Sequence, residues 1–345
     1  MKLTAVVLFL YASSALAEDA LEWRSLPGLP DPLGVAGAFA GVTGGGLLVA
    51  GGAQFPRGMP WEGGAKVWTE RVWFLESKDG SWRAAGSLPR PLAYGVSVTD
   101  QGKVWCVGGS DAARHYPDAF VLDWSGGGLV CERAPALPVP LANAAGAVDE
   151  EGTFYVACGS EAPGEAAASA RVFSLRLRDK VPTWTELPPL PGAPRILPVA
   201  GCRGGVFYVF GGVALEPNGE KTIRRYLRDC WRYVPAGGWR RIADLPVPAA
   251  AAASPAPFVR GAFWVVAGDD GSLAGFQPVE EHPGFPGRVQ RYDPEADAWR
   301  TLGRAPAPRA TLPCVEWGEE WILPSGEIRP GVRSSQVWAL GVQRR

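Results

Sequence analysis

The stretches Leu47-Leu-Val-Ala-Gly-Gly52 and Val104-Trp-Cys-Val-Gly-Gly109 decide the fold, because the same phrase recurs along the chain at spacings of 50 to 58 residues. Each copy is an apolar run that ends in a small residue and a glycine. Such runs, rich in β-branched and aromatic residues, are typical of buried strands, and their recurrence indicates a repeat architecture. The other copies are Phe154-Tyr-Val-Ala-Cys-Gly159, Phe207-Tyr-Val-Phe-Gly-Gly212, Phe263-Trp-Val-Val-Ala-Gly268 and Trp321-Ile-Leu-Pro-Ser-Gly326. The sequence therefore predicts six equivalent strands.

A second phrase lies between these copies and consists of an aromatic or Val-rich strand, a Trp and then Leu-Pro or a near equivalent. Its internal copies are Trp82 with Leu88-Pro89, Trp184 with Leu187-Pro188, Trp239 with Leu245-Pro246 and Trp299 with Ala305-Pro306. The second repeat has Cys131-Glu132 where the Trp is expected, so it is degenerate but in register. The missing copy stands at the N-terminus as Trp23-Arg-Ser-Leu26-Pro27. We therefore expect the N-terminal strand to complete the last repeat and close a ring, which removes exposed sheet edges.

These repeats predict a single all-β domain, a six-bladed Kelch-type β-propeller with four-stranded antiparallel blades. The segments rich in Ala, Gly and Val are expected to be the inner strands, because small residues suit six sheets that converge on one axis. They cover residues 34–42, 93–99, 143–148, 195–202, 249–258 and 309–315.

The chain begins with a pattern typical of a secretory signal peptide. An apolar stretch follows Met1-Lys2, and small residues up to Ala17 form a cleavage pattern. We therefore expect residues 1–17 to be removed, residues 18–345 to form the propeller, and the mature protein to be secreted or periplasmic. No later stretch approaches the roughly 20 apolar residues of a membrane span, so no membrane anchor is expected.

Composition narrows the range of partners. The net charge is −1 with both signs scattered, which argues against a nucleic-acid surface. Only two histidines occur, without paired-ligand spacing, so a transition-metal site is not expected. The six cysteines are widely spread, which favours buried thiols over a disulfide framework.

The loops that follow the Gly-Gly strands should project from one face of the ring, where propellers usually bind ligands. The long ones cover residues 54–66, 216–226 and 269–286. The last repeat instead places Glu327, Arg329 and Arg333 in a short Gly/Pro-bounded segment. This cluster can be a proton acceptor beside an anion-binding guanidinium, or an ion pair that stabilises a tight turn.

The phrase Gly326-Glu327-Ile-Arg-Pro-Gly331-Val-Arg333, together with Gly37-Ala-Phe-Ala-Gly41 and Ala93-Tyr-Gly-Val-Ser97, resembles the cyclically permuted mutarotases. These are Kelch propellers similar to bacterial N-acetylneuraminate (sialic acid) epimerase. The resemblance implies an isomerase that interconverts the α and β anomers of N-acetylneuraminate or a related sugar, without a cofactor. It implies Glu327 as the proton acceptor and Arg333 as a second active-site residue. The chain departs from the family pattern at Arg329, which replaces a Lys, and at Arg90-Pro91-Leu92, where an Arg usually precedes Ala-Tyr-Gly.

Seven further residues are expected to contact the substrate: Trp61, Glu62, Lys66, Tyr94, Arg195, His282 and Arg309. His282, Lys66 and Glu62 are also candidates for the acid that protonates the ring oxygen. Structural roles compete with these expectations, since Trp61 can plug the channel, Glu62 can pair with Lys66, His282 can belong to a turn and Tyr94 to the core. The alternative function is a Kelch propeller that binds a glycan or a protein without catalysis. A sialidase is disfavoured because an Asp-box-like phrase occurs only once, and a copper oxidase because it needs more histidines.

Overall fold

The computed structural model describes residues 21–164, 167–219 and 221–342, so the predicted signal peptide lies outside the described residues. They form six four-stranded antiparallel sheets and, besides strands, only the short 3₁₀ turns Pro60–Glu62 and Val279–Glu281. The predicted six-bladed β-propeller is confirmed.

In each blade the first strand lies at the axis and the fourth lies at the rim. Blades one to three contain Phe39–Thr43, Gly46–Ala50, Arg71–Leu75 and Trp82–Ser87; Val96–Asp100, Lys103–Val107, Ala119–Ser125 and Gly128–Ala134; and Ala145–Val148, Thr153–Ala157, Val172–Arg176 and Thr185–Leu187. Blades four to six contain Val199–Arg203, Val206–Phe210, Cys230–Val234 and Gly238–Ile242; Phe258–Val259, Ala262–Val266, Arg288–Asp293 and Ala298–Arg304; and Val315–Trp317, Glu320–Pro324, Val337–Val342 and Leu21–Leu26.

Three small hairpins are inserted between the second and third strands of blades one, four and six. They pair Ala53–Gln54 with Val67–Trp68, Val213–Asn218 with Lys221–Tyr226, and Glu327–Arg329 with Val332–Arg333.

The two ends of the described chain meet in blade six, as predicted. The strand Leu21–Leu26 pairs antiparallel with Val337–Val342, and Trp23 lies opposite Leu340. The ring is thus closed by backbone pairing between residues that lie more than three hundred positions apart in sequence.

A closed ring of six backbone hydrogen bonds encircles the axis. Each blade contributes one residue just before its inner strand, and its N–H donates to the carbonyl of the corresponding residue in the preceding blade over 2.7–2.9 Å. The six residues are Gly37, Tyr94, Asn143, Leu197, Ala251 and Thr311, all with φ between 52° and 66°. This left-handed conformation turns the backbone toward the neighbouring blade. Because this turn precedes the strand, the inner strands begin later than the sequence predicts. Blade five differs most from the prediction, since only Phe258–Val259 is strand there.

The backbone conformation requires the glycine that ends each of the six recurring phrases, which is the second glycine where the phrase reads Gly-Gly. Its φ is between 86° and 106° in every blade, and its N–H donates to the next blade, as from Gly268 to Arg309 over 3.0 Å. A Cβ atom there would lie 2.6–3.1 Å from the segment that leads into the same blade's inner strand. The preceding position has φ of 54–67°, which other residues adopt, and Cys158, Ala267 and Ser325 occupy it. The first of these two positions therefore tolerates a small residue other than glycine, whereas the second position requires glycine.

The recurring Trp residues join the outer strands of blades one, three, four and five to the preceding blade. The indole N–H groups donate to backbone carbonyls over 2.7–2.9 Å, for example from Trp82 to Pro27. Blade two lacks this Trp, and Trp124 of its third strand stacks on Phe74 of blade one at 4.4 Å instead.

Apolar side chains fill the interfaces between neighbouring blades, so the core is divided into six main clusters around the ring. The cysteines are free thiols: Cys106, Cys158, Cys230 and Cys314 are buried, Cys202 is half-buried and Cys131 is exposed.

Two buried arginines clamp the bases of the hairpins in blades four and six. Arg195 donates to the Gly211 carbonyl at 2.9 Å and pairs with Asp229 at 2.6 Å. Arg309 donates to the carbonyls of Ser325 and Gln336 at 2.7 and 3.0 Å. Burial lowers the pKa of Arg309 to about 10, which leaves it charged at neutral pH. Each guanidinium thus holds the second and third strands together where the hairpin leaves the blade.

We predict that Gly268→Ala destabilises the propeller more than Gly303→Ala. Both glycines have nearly the same φ, 86° and 88°, but a Cβ on Gly268 would lie 2.6 Å from the Ala250 carbonyl oxygen, whereas nothing lies within 4 Å at Gly303. Backbone strain alone should lower the free energy of unfolding by about 1–3 kcal/mol at Gly303. The clash at Gly268 should add about 1–3 kcal/mol. Urea unfolding measures both, and equal losses would contradict this account of the repeat.

We also predict that Arg195→Met costs about 3–5 kcal/mol of unfolding free energy at pH 7, because it leaves the Asp229 carboxylate unpaired. Burial alone would raise the pKa of Asp229, but Arg195 and the Trp231 indole outweigh it and lower the pKa. Above the unfolded-state Asp pKa of about 3.9, the pair therefore contributes fully to the free energy of unfolding. This contribution is lost as the pH falls through the lower pKa that Asp229 has in the folded state. The loss caused by Arg195→Met should shrink below about pH 4. A loss independent of pH, or an equal loss in the exposed control Arg240→Met, would refute the clamp.

Candidate functional site

The residue that follows the second glycine of each blade lies at one mouth of the channel. In every blade it exchanges backbone hydrogen bonds with the residue just ahead of the ring position. These residues are Ala53, Ser110, Ser160, Val213, Asp269 and Glu327. Only blades five and six place a carboxylate there. The backbone of Glu327 bonds to Ala310 at 2.8 and 2.9 Å, and Ala310 is adjacent to the ring residue Thr311.

A cleft of about 520 Å³ opens above the ring at this mouth. The channel narrows at the ring itself to a neck of about 70 Å³. Aromatic and charged side chains line the cleft, among them Phe55, Lys66, Trp68, Tyr94, Asp111, His115, Arg224, Glu327 and Arg333.

Glu327 and Arg333 form an ion pair within the blade-six hairpin. Oε1 of Glu327 accepts hydrogen bonds from the Gly331 N–H at 2.7 Å and from Arg333 Nη1 at 3.2 Å. Arg333 also donates to the Ala53 carbonyl at 3.2 Å, and its guanidinium lies 4.7 Å from the centre of the Phe55 ring. The sequence left two interpretations open. The geometry shows the ion pair that stabilises the turn, and it also places Glu327 at the border of the cleft.

Lys66 directly precedes the second strand of the blade-one hairpin, and its side chain lies over two aromatic rings. Its ammonium group is 5.6 Å from the centre of Trp68 and 5.3 Å from that of Tyr94. The two rings meet edge to face at 6.5 Å. Lys66 and Tyr94, both expected to contact substrate, therefore share one wall of the cleft.

Trp61 and Glu62 do not line the cleft. Trp61 packs behind the blade-six hairpin, with the Arg329 guanidinium 5.6 Å from its ring centre. Glu62 accepts a hydrogen bond from the Met59 N–H at 2.7 Å and so caps the short 3₁₀ turn. Both side chains support the loop that carries Lys66.

His282 is also turned away from the cleft. The residue is only 5% exposed, and the centre of its ring lies 5.5 and 5.9 Å from the ring centres of Phe276 and Phe285. Burial lowers its pKa, and its Nδ1 accepts a hydrogen bond from the Gly284 N–H at 3.1 Å, so the neutral ring is the form that fits. The next loop residue, Phe285, bonds to the Ile328 carbonyl at 3.1 Å. His282 thus holds the loop that supports the Glu327 hairpin.

The structure places Arg195 and Arg309, which were expected to contact substrate, inside blades four and six. They are 0% and 1% exposed, and their donors are used by the clamps within blades four and six. Neither side chain lines the cleft. They are the first residues of two predicted inner strands, but their guanidinium groups bond within the blades.

Several cleft residues are not predicted by the sequence patterns. His115 follows the Gly-Gly strand of blade two in a short loop, and its Nδ1 lies 3.0 Å from the Ser160 carbonyl oxygen. Since a carbonyl only accepts, Nδ1 carries a proton. Burial would raise the pKa of Asp111, but the Tyr116 hydroxyl and nearby backbone N–H groups lower it. The signal that could have found these residues was their place just after Gly109, which matches that of the long loops.

Within the described residues no group of three or more His, Cys, Asp or Glu side chains is arranged to hold a metal ion. No helix in that part of the chain is long and apolar enough to cross a membrane.

The N-acetylneuraminate epimerase family model matches residues 11–131. Proteins called N-acetylneuraminate epimerase in Brucella suis and Yersinia pestis are 37% and 38% identical over 134 and 130 residues. These matches span 34% and 33% of each chain, so they cover only about a third of the length of the relatives. The solved structure of YjhT aligns with a TM-score of 0.68 at 15% identity and covers 92% of this chain and 99% of its own. The predicted resemblance is thus confirmed: the chain is similar to the N-acetylneuraminate epimerases in sequence over residues 11–131 and shares a propeller fold with YjhT over most of its length.

Proposed function

We propose that the chain is a sugar mutarotase that interconverts the α and β anomers of N-acetylneuraminate or a related sugar. The names of the matching relatives support the reaction class. The matched segment ends at residue 131, before Glu327, so the role of this residue rests on geometry. The observation that carries the proposal is a carboxylate held at the mouth of the channel by Gly331 and Arg333, bordering a sugar-sized cleft.

In the proposed mechanism Glu327 accepts the proton of the anomeric hydroxyl. The bond between the anomeric carbon and the ring oxygen breaks, a proton is delivered to that oxygen, and the open-chain ketone forms. Rotation presents the other face of the carbonyl, and the reverse proton transfers close the ring as the other anomer. No bond to the enzyme forms, and atoms and charges balance over the cycle.

Arg333 and Gly331 hold Oε1 of Glu327, and no hydrogen bond joins Oε2 to another described residue. Oε2 is therefore the oxygen assigned to the substrate. His115, which lines the cleft, is the proposed acid: in its imidazolium form, with Nδ1–H donated to the Ser160 carbonyl, it delivers the Nε2 proton to the ring oxygen and regains it when the ring closes. General acid–base assistance of about 10²- to 10⁴-fold per group is sufficient for a reaction that also proceeds spontaneously.

We predict that Glu327→Gln slows anomer exchange of N-acetylneuraminate by about 100-fold or more, because the amide cannot accept the proton. NMR exchange spectroscopy of the anomeric signals measures the rate, and Glu295→Gln, in an exposed turn of blade five, is the control. Full activity of Glu327→Gln would remove this residue from the mechanism. If the wild-type protein binds sugars but accelerates exchange of none, the propeller is a binding module.

We further propose that residues 1–17 direct export, which places the protein in the periplasm or the medium. Expression in a Gram-negative host should yield a mature chain that begins near Glu18 in the periplasmic or secreted fraction, as measured by intact-mass spectrometry. A full-length chain that stays in the cytoplasm would refute export.

A further inference from the structure

Arg333 is poorly placed to bind a substrate carboxylate, although its charge suggests that role. Its side chain is only 4% exposed, and it donates to Glu327 and to the Ala53 carbonyl. One face of the guanidinium lies against Phe55. Its charge is thus balanced by Glu327 and its surface is covered by protein. An anionic ligand in the cleft therefore needs a different cation.

The cleft offers two other cationic side chains, Lys66 and Arg224. Arg224 lies on the blade-four hairpin beside the hydroxyl of Tyr226, with which it interacts. Asp111, the second carboxylate in the lining, accepts hydrogen bonds from Tyr116 and from two backbone N–H groups of its own loop. Among the described residues Lys78 and Lys103 form ion pairs with carboxylates, whereas Lys66 forms none. Lys66 is exposed and lines the cleft.

The two aromatic residues beneath the Lys66 side chain are held in place by backbone pairing, although the ammonium group itself is exposed. Trp68 belongs to the short strand that pairs with Ala53–Gln54. Tyr94 is a ring residue whose backbone bonds to Gly37 and Asn143 at 2.8 and 2.9 Å. The faces of both rings attract the cation without neutralising it, an interaction of about 0.5–1 kcal/mol at an exposed site. The aromatic pair therefore positions a full positive charge that a ligand can still reach.

We propose that Lys66, held on Trp68 and Tyr94, binds the carboxylate of an acidic sugar and selects for anionic substrates, while Arg333 is a positioning residue for Glu327. This inference rests on the proposed mutarotase function. In a 2-keto sugar acid the carboxylate is bonded to the anomeric carbon itself. A carboxylate anchored on Lys66 therefore brings the anomeric centre to the part of the cleft that Glu327 borders.

The test compares N-acetylneuraminate with its methyl ester, which lacks the negative charge but still mutarotates. For Lys66→Met we expect the KM for the acid to rise about 10- to 100-fold, the size of one charge-assisted hydrogen bond, with kcat nearly unchanged. The ester should show no difference between Lys66→Met and the wild type. Lys66→Arg should restore most of the affinity for the acid.

Arg57→Met is the matched control, because Arg57 is an exposed cation on the same loop and does not line the cleft. It should leave the kinetics of the acid and of the ester unchanged. Arg333→Lys should lower kcat for both substrates alike, as expected of a residue that positions Glu327. An equal loss of acid and ester in Lys66→Met, no loss at all, or an acid-specific loss in Arg333→Lys would overturn the proposal.

A binding measurement separates this inference from the proposed function. The methyl glycoside of N-acetylneuraminate is a locked anomer that cannot react, and its methyl ester removes the charge. Calorimetric titration of both into the wild type and Lys66→Met should show the same acid-specific loss in Kd, even if no sugar's exchange is accelerated. Binding of the glycoside that is insensitive to Lys66→Met would refute the anchor whether or not the protein is a mutarotase.

Discussion

The structure depends on the ring of six backbone hydrogen bonds at the axis. Each blade gives one N–H and one carbonyl to its neighbours, so the ring closes only when all six blades are present. The left-handed turn that this demands is adopted by Tyr94 and Thr311 as well as by Gly37. The strain is local and of the order of 1–3 kcal/mol per non-glycine residue. It persists because the apolar clusters between the blades hold each turn in place.

The ring of backbone hydrogen bonds also fixes the positions of residues that border the cleft. The residue after the second glycine of each phrase is bonded to the residue next to the ring, so its backbone cannot shift independently of the axis. In blade six this residue is Glu327, and the same constraint places Tyr94 beneath Lys66 from the other side. The backbone of Glu327 and the aromatic support of Lys66 are thus both tied to the ring, although Glu327 and Lys66 themselves belong to the hairpins of blades six and one.

Two kinds of positive charge occur in the cleft, and their surroundings separate their roles. The Arg333 guanidinium is covered and paired, so its field acts mainly on Glu327. The Lys66 ammonium group is supported by aromatic faces and stays open to solvent. Burial with a partner makes a charge a structural element, whereas support without neutralisation leaves it available to a ligand.

The sequence by itself determined the number of blades, because glycine geometry and strand periodicity are local properties. The closure through Trp23 and the place of Glu327 in the last blade followed from counting the copies of each phrase, since the Trp phrase missing from the last repeat stands at the N-terminus. The sequence also placed Lys66 and Tyr94 among the candidates. Only the tertiary structure decided which polar side chains face the cleft. Arg195 and Arg309 begin two predicted inner strands and His282 lies in a long loop, yet each side chain is turned into the protein by partners on other strands or loops. The sequence did not single out His115, because its neighbours in the cleft come from four other blades. The direction of a side chain is set by packing of this kind and not by its own segment.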